Sequence, residues 1–173
     1  IAAVRDEEEL DAALEKNIQI IFLLKSSILL VPKLCQKIKE HNKFVFVHID
    51  MIDGLKGDVA GIEFIKQCGA NGIISTKAHS IKQANKLGLL TIMRIFMIDS
   101  QSLKTGIPAI SESNPIAIEV MPGVANRIIE KISQLTNTPV IAGGLIQEKS
   151  EVIEALSSGA IAISTTAQKL WNL

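Results

Sequence analysis

The sequence predicts a compact (β/α)8 barrel, with residues 1–173 forming one α/β domain. Three observations carry that prediction. Eight short apolar runs alternate with helical patterns along the chain, and such alternation argues for α/β architecture. The runs are continuously apolar, not alternating, which marks parallel strands covered by helices. Eight units select a closed barrel over an open doubly wound sheet, which commonly has about five or six strands. At 173 residues the barrel falls below the usual ~250, so its loops must be short.

Each element follows from local pattern. Ile1–Val4 is an apolar strand that opens the chain abruptly, so a few residues are expected to precede it. Glu7–Lys16 reads as a helix with Leu10, Ala13 and Leu14 on one face. Ile18–Leu24 is the second strand, and Pro32–His41 its helix, with Pro32 suited to the first turn. Lys43–Asp50 is the third strand, ending in His48 and Asp50. Gly54–Gln67 is a loop followed by a helix. Gly72–Ser75 is the fourth strand, and Ala78–Lys86 its helix, stopped by Gly88. Leu89–Met97 is the fifth strand and holds Arg94. Ser102–Glu112 is helical but expected to break at Gly106 and Pro108. Pro115–Val120 is the sixth strand and holds Glu119; Val124–Leu135 is a well-patterned helix. Val140–Ala142, a helix over Lys149–Ser157, Ala160–Ser164 and a last helix through Leu170 and Trp171 complete the eight units.

Pro139 to Thr166 is the most informative stretch. Two β-branched strands in succession stop at small residues, Gly143-Gly144 and Ser164-Thr165-Thr166. Small residues let backbone N–H groups approach a ligand. A short helix beginning at Thr166 or Ala167 would add partial positive charge. Loops after strands seven and eight are the phosphate site of many such barrels. The alternative is that the glycines only turn the chain and Ser164-Thr165 only cap a helix.

The functional face of a barrel is the carboxyl end of its strands. Collected there are Lys25, Ser26, His48, Asp50, Ser75, Thr76, Lys77, Arg94, Glu119, Gly143, Gly144, Ser164 and Thr165. Burying so many polar groups costs free energy unless they meet partners or a ligand. Asp50 and Glu119 can accept hydrogen bonds from hydroxyls; Lys77 and Arg94 can neutralise an anion. The competing reading is an internal ion-pair cluster, Arg94–Glu119 above all. His48 reads as a satisfied core histidine. Two carboxylates near a lysine would also suit acid–base work on a sugar phosphate.

Composition excludes several classes. Apolar residues make up 47%, against disorder. No apolar run approaches the ~18 residues of a membrane span, and no secretory signal is visible, so a cytoplasmic protein is expected. Cys35 and Cys68 lie on separate helices and are expected as reduced thiols. No metal-site spacing, P-loop, Gly-x-Gly-x-x-Gly or Gly-x-Ser-x-Gly pattern occurs. Eighteen basic side chains balance eighteen acidic ones, a poor global signature for nucleic-acid binding. Charge is uneven, however. Acids crowd the first and seventh helices, and Lys33, Lys37, Lys82 and Lys86 form an arc around the second and fourth. That arc is either a solvated face or a phosphate-tracking patch for RNA. Stacking on bases has little support from so few aromatics.

Several segments, in order, resemble one family. They are Phe44–Asp50, Gly72–Lys77, Arg94-Ile95-Phe96-Met97-Ile98-Asp99-Ser100, Glu119-Val120-Met121-Pro122-Gly123, Pro139–Ile146, and the ending from Ser164-Thr165 to Leu170-Trp171. The chain resembles the glycerol uptake operon antiterminators over essentially its full length. The resemblance implies a (β/α)8-like barrel that senses glycerol 3-phosphate, binds leader mRNA of glycerol-utilisation genes and prevents transcription termination. It implies no enzyme activity and no cofactor beyond that effector. Gly143, Gly144, Ser164 and Thr165 match the family's phosphate-loop motifs; Asp50, Lys77, Arg94 and Glu119 fall in its other polar strand-end motifs. The implied partners are glycerol 3-phosphate and leader mRNA, for which the charge pattern offers the Lys33, Lys37, Lys82 and Lys86 arc while the family supplies no RNA-contact residues; a second copy of the chain is a further option. An isomerase or lyase acting on a triose or sugar phosphate is the alternative, because fold does not fix function. A dimeric scaffold with a vestigial pocket is the third.

Overall fold

The computed structural model describes residues 1–173. Its elements in order are β1 (Ala2–Val4), α1 (Glu7–Leu14), β2 (Ile20–Leu23), α2 (Val31–Glu40), β3 (Phe44–His48), α3 (Val59–Gln67), β4 (Gly72–Ser75) and α4 (Ala78–Lys86). They continue with β5 (Leu90–Phe96), α5 (Ser100–Ser113), β6 (Ala117–Met121), α6 (Asn126–Leu135), β7 (Val140–Gly143), α7 (Lys149–Ser157) and β8 (Ala162–Ser164). The strands pair in parallel in chain order. A parallel bridge between Ala2 and Thr165 joins the last strand to the first. There the Ala3 N–H donates to the Thr165 carbonyl at 3.0 Å, and the Thr165 N–H to the Ile1 carbonyl at 3.3 Å. The predicted (β/α)8 barrel is the observed fold.

Side chains alternate across a strand, so each strand sends one set inward. Ala3, Phe22, Phe46, Ile74, Ile92, Ala117 and Ile141 form the apolar barrel interior. Phe22 and Phe46 meet edge to face with ring centroids 5.8 Å apart, while Ala3, beside Phe22, and Ala117 are small. Gly72 makes room for the pair, since a Cβ there would lie 2.6 Å from Phe46. The other set packs outward on the helices in two shells, largely around α1–α3 and around α5–α7. Two residues further along most strands, the inward positions turn polar or small, and the site begins.

The structure departs from the sequence reading in four places. Helix α5 runs unbroken from Ser100 to Ser113 through Pro108. The Asp99 carboxylate caps it, accepting from the Ser102 N–H at 2.8 Å, and Gly106 packs against Met97. Pro108 therefore only forfeits one internal bond in a long, well-anchored helix. Strand β3 ends at His48, and Asp50 sits in a 3₁₀ turn over Ile49–Met51. No eighth α-helix follows β8, only a 3₁₀ turn at Gln168–Leu170. The chain folds back there to bury Trp171, whose indole N–H donates to the Thr165 carbonyl at 2.9 Å. Finally, Ser26–Ser27 and Ile52–Asp53 form a small parallel pair at the mouth that nothing in the sequence signalled.

The lysine arc is largely neutralised. Lys33 pairs with Glu7 at 3.1 Å, Lys37 with Asp11, and Lys82 with Glu112 at 2.9 Å. The acids of α1 thus lie beside the lysines of α2, and only Lys86 of the four has no ion-pair partner. No helix is long and apolar enough to cross a membrane. Cys35 and Cys68 are both free.

Candidate functional site at the barrel mouth

Interior residues predict the layer above them. Counting two positions on from Phe22, Phe46, Ile92, Ala117, Ile141 and Ala162 gives Leu24, His48, Arg94, Glu119, Gly143 and Ser164. Period-two geometry puts these on the same side as their predecessors, so a polar layer crowns the apolar one. Arg94 and Glu119 are direct partners on β5 and β6. The Arg94 Nε–H donates to Glu119 Oε2 at 2.6 Å, with the side chains only 9% and 1% exposed. Both charges are held out of bulk water, so each depends on the other. The guanidinium spends only its Nε–H inside the chain, and its two terminal nitrogens keep their donors.

Gly143 makes room for this pair. A Cβ at that position would sit 2.5 Å from Glu119 Oε1 and 2.9 Å from its Cδ. The missing side chain is the space the glutamate occupies. Gly144 differs: its φ is +77°, a left-handed conformation that glycine adopts without penalty. Leu145 follows at φ +64°, which is costly for a side chain with a Cβ, and such strain gathers at ligand clamps.

The N–H groups of Gly144, Leu145, Ile146 and Thr166 make no hydrogen bond within the chain. Most buried backbone donors in folded proteins are paired, and Ile146 is fully buried. The loop is nevertheless firmly placed. The Thr165 hydroxyl donates to the Ile146 carbonyl at 2.8 Å and accepts from the Ala167 N–H at 3.0 Å. The Gly123 N–H donates to the Gly144 carbonyl at 3.0 Å, so Gly123 braces the loop from the β6 side. Thr165 thus spends its backbone and its hydroxyl on the protein; it positions the loop, and the adjacent Thr166 carries the free donor.

These groups line one cleft of about 100 Å³, bounded by Arg94, Glu119, Met121, Gly144–Gln147 and Ser164–Thr166, with Ala3 and Leu24 on its floor and side. Drug-sized pockets run about 300–1,000 Å³, so this one suits a small anionic head group. Arg94 supplies charge, the loop supplies N–H groups, and Glu119 supplies acceptor oxygen. Of the eight residues picked from sequence, Arg94, Glu119, Gly144, Ser164 and Thr165 line it, and Gly143 shapes it.

Asp50 and Lys77 do not line the cleft. They form a second polar cluster on the mouth, after β3 and β4. The Asp50 carboxylate accepts from the Thr76 N–H at 2.8 Å, the Ser75 hydroxyl at 3.0 Å and the Thr76 hydroxyl at 3.1 Å. Burial alone would raise its pKa. The Thr76 and Ser75 hydrogen bonds, helped by His48, outweigh burial and hold it below the usual carboxylate value. Lys77 Nζ lies 3.5 Å from Asp50 and is mostly exposed, a weak pair. His48 stands between the clusters. It is buried, as expected, but it is not satisfied: Nδ1 has no hydrogen-bond partner. Sequence reading placed His48 and Thr166 at the strand ends and Gly123 in a family segment but gave none of them a role in the site, and it gave none to Leu145-Ile146. A signal existed for two of them, since His48 shares the period-two register and Gly123 ends the Glu-x-x-Pro-Gly segment.

The fold and this crowned interior place the chain among the (β/α)8 barrels whose sites open at the carboxyl ends of the strands. Residues 1–171 match the glycerol-3-phosphate responsive antiterminator family, and the chain belongs to it. It is similar to the glycerol uptake operon antiterminator regulatory protein of Listeria monocytogenes, at 33% identity and TM-score 0.96, covering 99% of this chain and 93% of that one. A glycerol uptake operon antiterminator-related protein of Thermotoga maritima is similar at 34% identity and TM-score 0.88, covering 98% and 95%. An uncharacterized Escherichia coli (strain K12) protein, YgcP, is 34% identical over all of this chain and 91% of its own length. The orotidine 5′-phosphate decarboxylase of Pyrococcus horikoshii shares the fold at 16% identity and TM-score 0.74.

Proposed function

We propose that this protein is a cytoplasmic transcription antiterminator that binds glycerol 3-phosphate in the mouth cleft and, in that state, binds leader mRNA of glycerol-utilisation genes. The observation that carries the proposal is the Arg94 guanidinium, clamped by Glu119, facing a cleft whose Gly144–Ile146 and Thr166 N–H groups have no acceptor in the chain. Backbone donors that converge on a concavity beside a cation suit a phosphate. Family membership supports the effector's identity. Gly143 and Thr165 would position these groups, while Ser164 and Glu119 would meet the ligand beside the phosphate. Asp50 and Lys77 would act from the opposite rim.

A sensing role fits the side chains better than turnover does. No lysine is buried, and the one buried carboxylate is tied to Arg94. For regulation, the effector must favour the RNA-competent state by a differential affinity. Calorimetric titration with glycerol 3-phosphate tests the first half: wild type should bind, and Gly144→Asp, which adds a negative charge to the cleft lining beside Met121, should not. Leader-RNA affinity measured with and without the effector tests the second. An RNA affinity indifferent to glycerol 3-phosphate would remove the regulatory role.

A further inference from the structure

His48 is the one group in the polar layer that the phosphate reading leaves without a task. It sits at the inward position above Phe46, in register with Ile74 and near enough to Arg94 and Asp50 to feel both charges, and is 3% exposed. Its Nδ1 is buried with no partner. A buried, unsatisfied polar atom costs about 1–3 kcal/mol, and native proteins keep few such atoms without a function. An apolar residue of similar size would fill the position at no such cost, as Phe46 does two residues earlier. The charges around the ring come from two sides: Arg94 acts on it from β5, and Asp50 from the turn after β3. Burial first, and then Arg94, push its pKa down to about 4, against the pull of Asp50 and its own backbone. Near neutral pH the ring is uncharged, with one donor nitrogen and one acceptor nitrogen.

An uncharged donor–acceptor beside a cation is suited to a hydroxyl rather than to a phosphate. A hydroxyl can both donate and accept, and it brings no charge into the layer. We infer that His48 is a specificity residue of the effector site, hydrogen-bonding a free hydroxyl of a phosphorylated polyol whose phosphate lies against Arg94 and the Gly144–Ile146 loop. This inference rests on the phosphate reading and adds the ligand's second anchor. It explains why the layer carries histidine where packing alone would select an aromatic ring. It also predicts discrimination, because a site built around a hydroxyl rejects an analogue that lacks one.

The test compares two probes on three proteins. Glycerol 3-phosphate and n-propyl phosphate, which has no free hydroxyl on its carbon chain, are titrated by calorimetry into wild type, His48→Phe and His48→Gln. Wild type should favour glycerol 3-phosphate at least tenfold. His48→Phe should lose that preference while holding propyl phosphate within about twofold, and its unliganded melting temperature should not fall. His48→Gln, which keeps a donor and an acceptor, should recover part of the preference. Equal weakening of both probes in His48→Phe would overturn the inference, as would an unchanged preference. The same data separate the two readings. If neither probe binds wild type, the phosphate site fails; if both bind wild type equally, only the role of His48 fails. Imidazole ¹⁵N shifts in wild type provide a second check. The His48 signals should move with glycerol 3-phosphate and stay in place with propyl phosphate.

Discussion

Gly143→Ala isolates the packing on which the cleft depends. The backbone there is an ordinary strand, so an added methyl group brings no φ penalty. It would, however, lie 2.5 Å from Glu119 Oε1 and 2.9 Å from Cδ and Cγ. Carbon contacts normally settle near 3.5–4.0 Å, so the carboxylate must retreat by about 1 Å. Glu119 is 1% exposed and bonded to Arg94 at 2.6 Å, so it cannot swing into water, and its retreat drags the guanidinium along. Overpacking of this kind costs about 1–3 kcal/mol. Equilibrium urea unfolding should therefore show a loss in that range. Calorimetry should show glycerol 3-phosphate affinity reduced at least tenfold, or about 1.4 kcal/mol. Glu119→Ala alone should cost more, about 3–5 kcal/mol, because it strands a buried arginine. In that background the additional penalty of Gly143→Ala should shrink to about 0.5 kcal/mol or less, as expected once the clashing partner is gone. A neutral Gly143→Ala variant, or a penalty undiminished without Glu119, would show that the glutamate does not fill this space.

Three further outcomes follow from the same geometry. Gly144→Ala and Gly88→Ala both impose a side chain on a left-handed residue, at φ +77° and +76°, and each should destabilise by about 1–2 kcal/mol. Only Gly144→Ala should also weaken effector binding, since Gly88 lies in open space far from the mouth. Acid should weaken the fold in two stages, read by urea unfolding at several pH values. His48 has a folded pKa near 4 against 6.5 ordinarily, so the unfolded chain protonates first. Its contribution is complete above pH 6.5 and falls by about 3 kcal/mol on the way to pH 4. His48→Phe should flatten that slope. The Asp50 contribution, from a carboxyl held below its usual 3.8, should be lost at lower pH still. In RNA binding assays Lys86→Ala should reduce affinity more than Lys33→Ala, because Glu7 already offsets the charge of Lys33; equal losses would argue for RNA contact along the whole arc.

Much of the barrel could be read from pattern, because parallel buried strands leave a strong one. Ile18–Leu24 and Phe44–His48 are unmistakable runs, and eight of them leave few topologies. The final segment was less legible: Ala167–Trp171 has helical composition, but Trp171 needed a partner for its indole N–H and found the Thr165 carbonyl. Pro108 misled for a related reason, since a capped, packed helix tolerates one missing bond. Within the site, Arg94, Glu119 and Gly144 stood out as polar or small residues ending apolar strands. The division of labour between Gly143 and Gly144 did not, because the two are identical in sequence and differ only in what each would strike. Nor did the neutralised arc, because the pairing of Lys33 with Glu7 and Lys37 with Asp11 requires α1 and α2 to be neighbours.

The most direct measurement is a crystal structure of the protein with glycerol 3-phosphate bound. The phosphate should lie within hydrogen-bond reach of the Gly144 and Leu145 N–H groups and of the terminal nitrogens of Arg94, with Glu119 still holding Nε. A phosphate found outside the mouth, or an Arg94 that turns away from it while the ligand is bound, would contradict the assignment.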